Sequence, residues 1–308
     1  MTKNKYTFAV IAAGTLWGFM GFFRRTLDSM GVSAIGCIAV RCIFAAMLFA
    51  ITILFADRNA FKVKLRDAWV FVGSGVVSLL VFGLCYFKAM DYMSLSNAAI
   101  LLYTAPCFVI LISAVLFKEK LTGKKLAAMV IAFAGCCLVS GIGTGGAISS
   151  TGLALGLGSG LCYALYSIFS RFAINRGYST LTINLYSCLL AGIGAVLIGG
   201  TEFVPIITAS TGDFLFAVAT GLVTCFLPYL LYTYGLTGLE NGKASIMASI
   251  EPVVATLCGM AIYHEGLTLM SAAGVVLVLF AIVLLNIKTQ NEKVKDTLRA
   301  AHHRDLQP

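Results

Sequence analysis

Apolar stretches with little or no charge, each close to the twenty residues a helix needs to cross a ~30 Å hydrocarbon core, recur ten times along this 308-residue chain. They lie at 7–26, 34–55, 68–87, 94–117, 124–140, 152–170, 180–199, 214–234, 243–263 and 269–287. The pattern predicts an all-α integral membrane protein with ten transmembrane helices and short connections. Composition agrees, since only 11% of the residues are charged where a soluble protein carries about 25%. Disordered chains, collagen and disulfide-stapled secreted modules are thereby excluded.

An even number of spans puts both termini on one side, and the basic residues say which. Eighteen of the 22 Lys and Arg fall on the side of the N-terminus, in the segments holding Lys3 and Lys5, Arg58 to Arg66, Lys118 to Lys125, Arg171 and Arg176, Lys243, and Lys288 to Arg304. Only Arg24, Arg25 and Lys88 lie at the other ends, with Arg41 inside a span. Both termini are therefore expected in the cytoplasm, with the chain in the cell (cytoplasmic) membrane. The net charge of +9 reports topology and attraction to anionic lipid, and nucleic acid is not an expected partner. Lys3 and Lys5 resemble the start of a signal peptide, yet Arg24-Arg25 follow without a small-residue cleavage site, so a retained helix is expected. Residues 288–308, with His302 and His303, read as a polar cytoplasmic tail. All ten cysteines fall within predicted spans and show no Cys-x-x-Cys spacing, so they read as small buried side chains. No metal site or cofactor is expected.

Shifted by 146 residues, the chain matches itself. Gly14 pairs with Gly160, Arg25 with Arg171, Gly31 with Gly177, Ser33 with Ser179, Tyr86 with Tyr232, Pro106 with Pro252, Glu119 with Glu265 and Thr122 with Thr268. With only 5 Pro in the chain, a shared Pro and Glu at one offset point to a true repeat. The expected units are 1–145 (helices 1–5), 146–287 (helices 6–10) and the tail 288–308. Five spans per unit is an odd number, so the second unit enters the membrane inverted. Two inverted five-helix repeats around a central cavity is the plan of secondary transporters, with the substrate near the midplane.

At Gly14-Thr-Leu-Trp17-Gly18, Arg41, Pro106 followed by Glu119-Lys-Leu-Thr122, and Glu251-Pro252 followed by Glu265-Gly-Leu-Thr268, the sequence resembles the EamA-like family of the drug/metabolite transporter superfamily. The likeness runs over roughly residues 7 to 287. It implies a ten-helix fold, a cavity lined mainly by helices 1, 3, 4, 6, 8 and 9, and commonly export of amino acids or other small metabolites.

The residues themselves suggest where the mechanism lies. Pro106 and Pro252 sit mid-helix, where each removes a hydrogen bond and displaces the carbonyl four residues earlier, at Leu102 and Ala248. They read as hinges beside the substrate or as static kinks. Glu251 is the one acidic residue deep in a span, so it must be paired, protonated or wet. Desolvation favours a neutral carboxyl, which leaves three readings: proton coupling, a structural hydrogen bond, or a site for a substrate amino group. Arg41 either binds a substrate carboxylate through its planar fork or locks helices by pairing with Glu251 or carbonyls; with helix 2 peripheral in the family fold, the structural role is favoured. Trp17, Tyr86, Tyr103, Tyr163, Tyr166, Tyr229 and Tyr232, with Asn97, are candidate wall residues for a partly apolar zwitterion or a cation. Glu119 and Glu265 fall at the membrane edges near helix starts, and Gly14/Gly18 and Gly156/Gly160 suit close packing of helices 1 and 6.

Together these features predict a secondary transporter that moves a small metabolite outward by alternating access, with the substrate, the bilayer and protons as partners, acting as monomer or homodimer. A sugar-phosphate or nucleotide-sugar exchanger would want several midplane cations where only Arg41 qualifies. A non-transporting sensor is the other alternative. An intramembrane enzyme is not expected, because the sequence holds no Gly-x-Ser-x-Gly and no His-Glu-x-x-His.

Overall fold

A computed structural model describes residues 2–141, 149–203, 205, 210–264, 266 and 268–287. Glu265 and the tail 288–308, with His302 and His303, lie outside the described residues. Among the described residues the helical rods run in the order α1 (Asn4–Ser29), α2 (Ala34–Ala56), α3 (Leu65–Ala89), α4 (Leu95–Leu116), α5 (Gly123–Val139), α6 (Ser150–Asn175), α7 (Thr180–Gly199), α8 (Thr211–Leu236), α9 (Asn241–Tyr263) and α10 (Leu269–Asn286). Among the described residues nine of them have the length and apolarity to cross a membrane. The exception is α5, whose 17 residues reach about 25 Å at ~1.5 Å per residue. The sequence pattern gave ten stretches because α5 is as apolar as the rest; its regular helix is simply shorter.

Each repeat carries the same local devices 146 positions apart. Ser33 and Ser179 cap α2 and α7, their hydroxyls accepting the N–H of Gly36 and Thr182, and Thr122 and Thr268 cap α5 and α10 in the same way. Gly31 and Gly177 turn the chain at φ near +80° and +84°, a region open to glycine at no steric cost. Lys118 and His264 share φ values of 54° and 55°. Both α3 and α8 widen into π-helix, at Gly73–Val81 and Leu222–Phe226.

Contacts show the inversion directly. The backbone N–H of Lys64 donates to the Tyr178 hydroxyl, Arg176 pairs with Asp67 at 3.1 Å, and Lys125 pairs with Glu240 at 2.7 Å. The connections α2–α3, α4–α5, α6–α7 and α8–α9 therefore share one end, the basic face. At the opposite face Ser33 bonds Glu202, and the Arg25 guanidinium lies 4.2 Å from the Tyr263 ring centre. Gly177 is thus at the basic face and its mirror residue Gly31 at the other.

The helix breaks differ from the expected proline kinks. α4 is two half-helices, Leu95–Leu102 and Ala105–Leu116, and α9 is likewise Asn241–Ala248 and Glu251–Tyr263. Pro106 and Pro252 occupy the first turn of the second half, where a missing N–H leaves nothing unsatisfied. The discontinuities fall at Tyr103–Thr104 and Ser249–Ile250, before each proline. Each lies over a glycine: a Cβ on Gly14 would sit 2.8 Å from the Ala248 carbonyl, and one on Gly160 would sit 2.8 Å from that of Leu101. The glycines therefore bring α1 against α9 and α6 against α4, and not α1 against α6 as the small-residue spacing suggested. α2 packs lengthwise on α7 and α5 on α10, which leaves the other six rods to surround the middle.

Candidate functional site

A cavity of about 500 Å3 opens at the face bearing Arg24, Arg25, Met90 and Leu95 and runs inward to Trp17, Tyr103, Tyr163, Tyr229 and Glu251. Its walls come from α1, α3, α4, α6, α8 and α9, and also from α2, through Cys37, Ile38, Arg41 and Cys42. The expectation of a peripheral helix 2 is thus corrected: α2 leans on α8, and its Arg41 side reaches the cavity.

Trp17 forms the floor. Its indole centre lies 5.2 Å from the ring of Tyr229, 5.4 Å from Tyr232 and 6.2 Å from Tyr163, edge-on or tilted geometries that aromatic quadrupoles favour. Tyr163 and Tyr229 face the cavity, whereas Tyr232 and Tyr166 stand behind the floor. The Tyr232 hydroxyl meets Ser167 at 2.8 Å; that of Tyr166 donates to Asn184 at 2.5 Å and sits 2.8 Å from Thr233. These buried partners explain why two of the candidate tyrosines are absent from the wall: a phenol in a dry bundle goes where its hydroxyl is satisfied. Asn97 is also off the wall, buried in the first turn of α4 with its N–H on the Ser94 cap.

Two charges stand at the inner end of this aromatic chamber, beyond Arg24 and Arg25 at its mouth. Glu251 is the first residue of the second half of α9, so its carboxylate lies at a helix N-terminus whose free N–H groups favour negative charge. The Tyr163 hydroxyl donates to it at 3.3 Å. Arg41 donates through Nη2 to the Thr224 carbonyl at 3.0 Å, inside the π-helical turn of α8 where hydrogen bonding is rearranged. Its Nη1 meets the Met20 sulfur at 3.5 Å, and its buried Nε has no partner among the described residues. Arg41 and Glu251 are not an ion pair. Neither charge has a mirror: the positions 146 away are Ser187 and Ala105.

Beyond the floor, at the basic face, the cavity is sealed by a polar layer. Glu119 accepts the backbone N–H groups of Asn241 at 2.7 Å and Gly242 at 3.2 Å, capping α9 rather than the α5 that follows it. Lys125 sits between Glu119 at 3.4 Å and Glu240 at 2.7 Å. Arg171 donates to the Asn241 side-chain oxygen at 2.9 Å and to the Leu239 carbonyl. The start of α9 is thus held against α4, α5 and α6.

A family model for EamA-like transporters matches residues 4–141 and again 150–287. The chain belongs to the EamA-like transporter family. As in other EamA-like proteins, the match comes as two tandem units. Similar relatives are a transporter of Archaeoglobus fulgidus, 27% identical over 88% of this chain and 95% of the relative, and transporter YxxF of Bacillus subtilis, 25% identical over 94% and 92%. A solved protein structure superimposes with a TM-score of 0.75 at 18% identity, covering 91% of this EamA-like chain and 96% of the other, which speaks for the fold alone. The protein is a multi-pass membrane transporter.

Sequence reasoning named Tyr86 of α3 but missed Leu79, Phe82 and Phe87 beside it, and Met90 just past its end, all of which line the cavity. Their spacing is that of a helix face, but they are apolar like most of α3, so only Tyr86 stood out on that face.

Proposed function

We propose that this EamA-like protein is a secondary transporter that carries a small amino-acid-like zwitterion outward across the cytoplasmic membrane by alternating access. In this reading α5 completes ten spans, both termini are cytoplasmic, and the cavity faces outward. The observation that carries it is one aromatic-walled chamber whose inner end holds a carboxylate, Glu251, and a guanidinium, Arg41, which are not paired with each other, while Arg24 and Arg25 line only its mouth. A substrate with an ammonium and a carboxylate offers each a partner, and the partner-less Nε of Arg41 favours an anion there. Trp17, Tyr103, Tyr163 and Tyr229 supply apolar and cation-π surface around it. Phosphate esters fit less well, because Arg41 is the one cation lining the inner end of the chamber; Arg24, paired with Asp28 at 3.1 Å, and Arg25 stand at its mouth.

Glu251 is also the candidate for proton coupling, since an ammonium group and a proton compete for the same oxygens. The half-helix junctions before Pro106 and Pro252 are the hinges. The test is exchange in proteoliposomes loaded with labelled amino acids, cationic amines and sugar phosphates. Exchange of at least one zwitterion is expected, lost in Glu251→Gln and in Arg41→Gln. Exchange of sugar phosphates alone overturns the substrate class; tight binding of a metabolite without its exchange favours a sensor.

A further inference from the structure

The two repeats are alike in sequence position but not in contact, and the difference isolates what moves. At the basic face the first half of α9 (Asn241–Ala248) packs along the second half of α4, with α5 and α6 beside it. The mirror set at the open mouth is the first half of α4 (Leu95–Leu102) against the second half of α9, with α10 and α1; these make no comparable packing. Other mirror pairs, such as α2 with α8 and α7 with α3, pack about equally in both repeats, while α6 meets more of α3 than α1 does of α8. An inverted repeat can exchange the two arrangements, since each half already has the local geometry the other displays.

At the sealed end Arg171 on α6 holds the α8–α9 turn through the Leu239 carbonyl and Asn241. The mirror residues are Arg25 on α1 and, in the α3–α4 turn, Met93 and Leu95. Arg25 and Leu95 both border the open mouth, and Arg25 lies over the Tyr263 ring, 4.2 Å from its centre.

We propose that Arg25 is the latch of the open mouth: in the alternate conformation it leaves Tyr263 and donates to the Met93 carbonyl, as Arg171 now donates to that of Leu239. The aromatic layer follows the same exchange, with Tyr86 closing on Tyr163 as Tyr232 now packs on Trp17. The latch is not a full copy. Leu95 lacks the side-chain oxygen of Asn241, and Ser271 and Ser94 stand where the sealed end has Lys125 and Glu240, so the Lys125–Glu240 pair has no counterpart. A closed mouth is therefore held more weakly than the closed basic end, and the protein rests with its mouth open.

This rests on the alternating-access reading, and the experiment separates the two. Spin labels on unnatural amino acids at Ser29 and Tyr92, both exposed at the mouth, report its width by electron–electron distance measurement in lipid nanodiscs, with the ten cysteines intact. Lys125→Met, which loosens the sealed end, is expected to raise a short-distance population. Adding Arg25→Gln is expected to cut that population at least tenfold, and Arg25→Lys to restore part of it. A short-distance population that survives Arg25→Gln unchanged overturns the latch alone. Absence of that population in every variant overturns alternating access, and the latch with it.

Discussion

Lys125 is the side chain whose loss has the most calculable consequence. Its side chain is 6% exposed and lies between Glu119, 8% exposed, and Glu240, 53% exposed. Replacing it with Met keeps the aliphatic stem and deletes the charge. The Glu240 arm is half in water and contributes about 0.5 kcal/mol. The Glu119 arm is buried, and removing one partner of a buried pair costs ~3–5 kcal/mol. Glu119 keeps two backbone N–H donors, from Asn241 and Gly242, so its carboxylate is not stranded and the cost falls to about 2–3 kcal/mol. That energy is present only while the basic end is shut. At ~1.4 kcal/mol per tenfold change in an equilibrium, Lys125→Met should raise the population open at that end roughly 30- to 150-fold. Distances between labels at Lys120 and Thr237, on the two sides of the seal, read the change. A distribution within about twofold of wild type, in a variant that is folded and monodisperse, would refute the claim that this cluster holds the end closed.

Other expectations follow from the same geometry. Substrate binding by wild-type protein should weaken as pH falls, because protonating Glu251 removes the charge that attracts an ammonium group; in Glu251→Gln binding should be at least tenfold weaker and flat with pH by isothermal titration. Gly160→Val should cost about 1–3 kcal/mol by overpacking, since even a Cβ there would approach the Thr104 hydroxyl to 2.7 Å; a thermal midpoint equal to wild type in detergent would count against the close α4–α6 contact. Ser179→Ala removes the α7 cap and should cost about 1 kcal/mol, read as a lower thermal midpoint, while the exposed Ser29→Ala should change it little.

Legibility of the site followed a simple rule. Trp17, Tyr103, Tyr163, Tyr229 and Glu251 were chosen for being polar or aromatic near mid-span, and all five border the cavity. Tyr166, Tyr232 and Asn97 met the same criterion and lie behind it, because Asn184, Ser167 and the packing around α4 took them up instead. Nothing in one dimension separates Tyr163 from Tyr166: they share a helix face, and a tilt of α6 decides which of them meets open space. Of the wall from α3 only Tyr86 was named in advance; Leu79, Phe82 and Phe87 carry no polar atom to mark them. The prolines were correctly seen as sites of backbone disruption, but the break falls ahead of them, where the tightest approach of Gly14 and Gly160 occurs.

The sequence by itself determined the membrane class, the repeat with its 146-residue period, and the segregation of basic residues, because each is a property of order along the chain: hydrophobic length, recurrence, and charge at helix ends. It also determined the local devices, the caps at Ser33 and Ser179 and the turns at Gly31 and Gly177, which need only neighbours a few residues away. Tertiary structure decided that α1 pairs with α9 and α6 with α4, that Arg41 reaches the cavity while Tyr166 does not, and that one end is sealed by Lys125, Glu119, Glu240 and Arg171 while its mirror stands open. Lipid and protein interior are equally apolar, so hydrophobicity assigns no face to a spanning helix. Close packing at glycines and the satisfaction of a few buried polar groups do that, and they exist only once the helices have met.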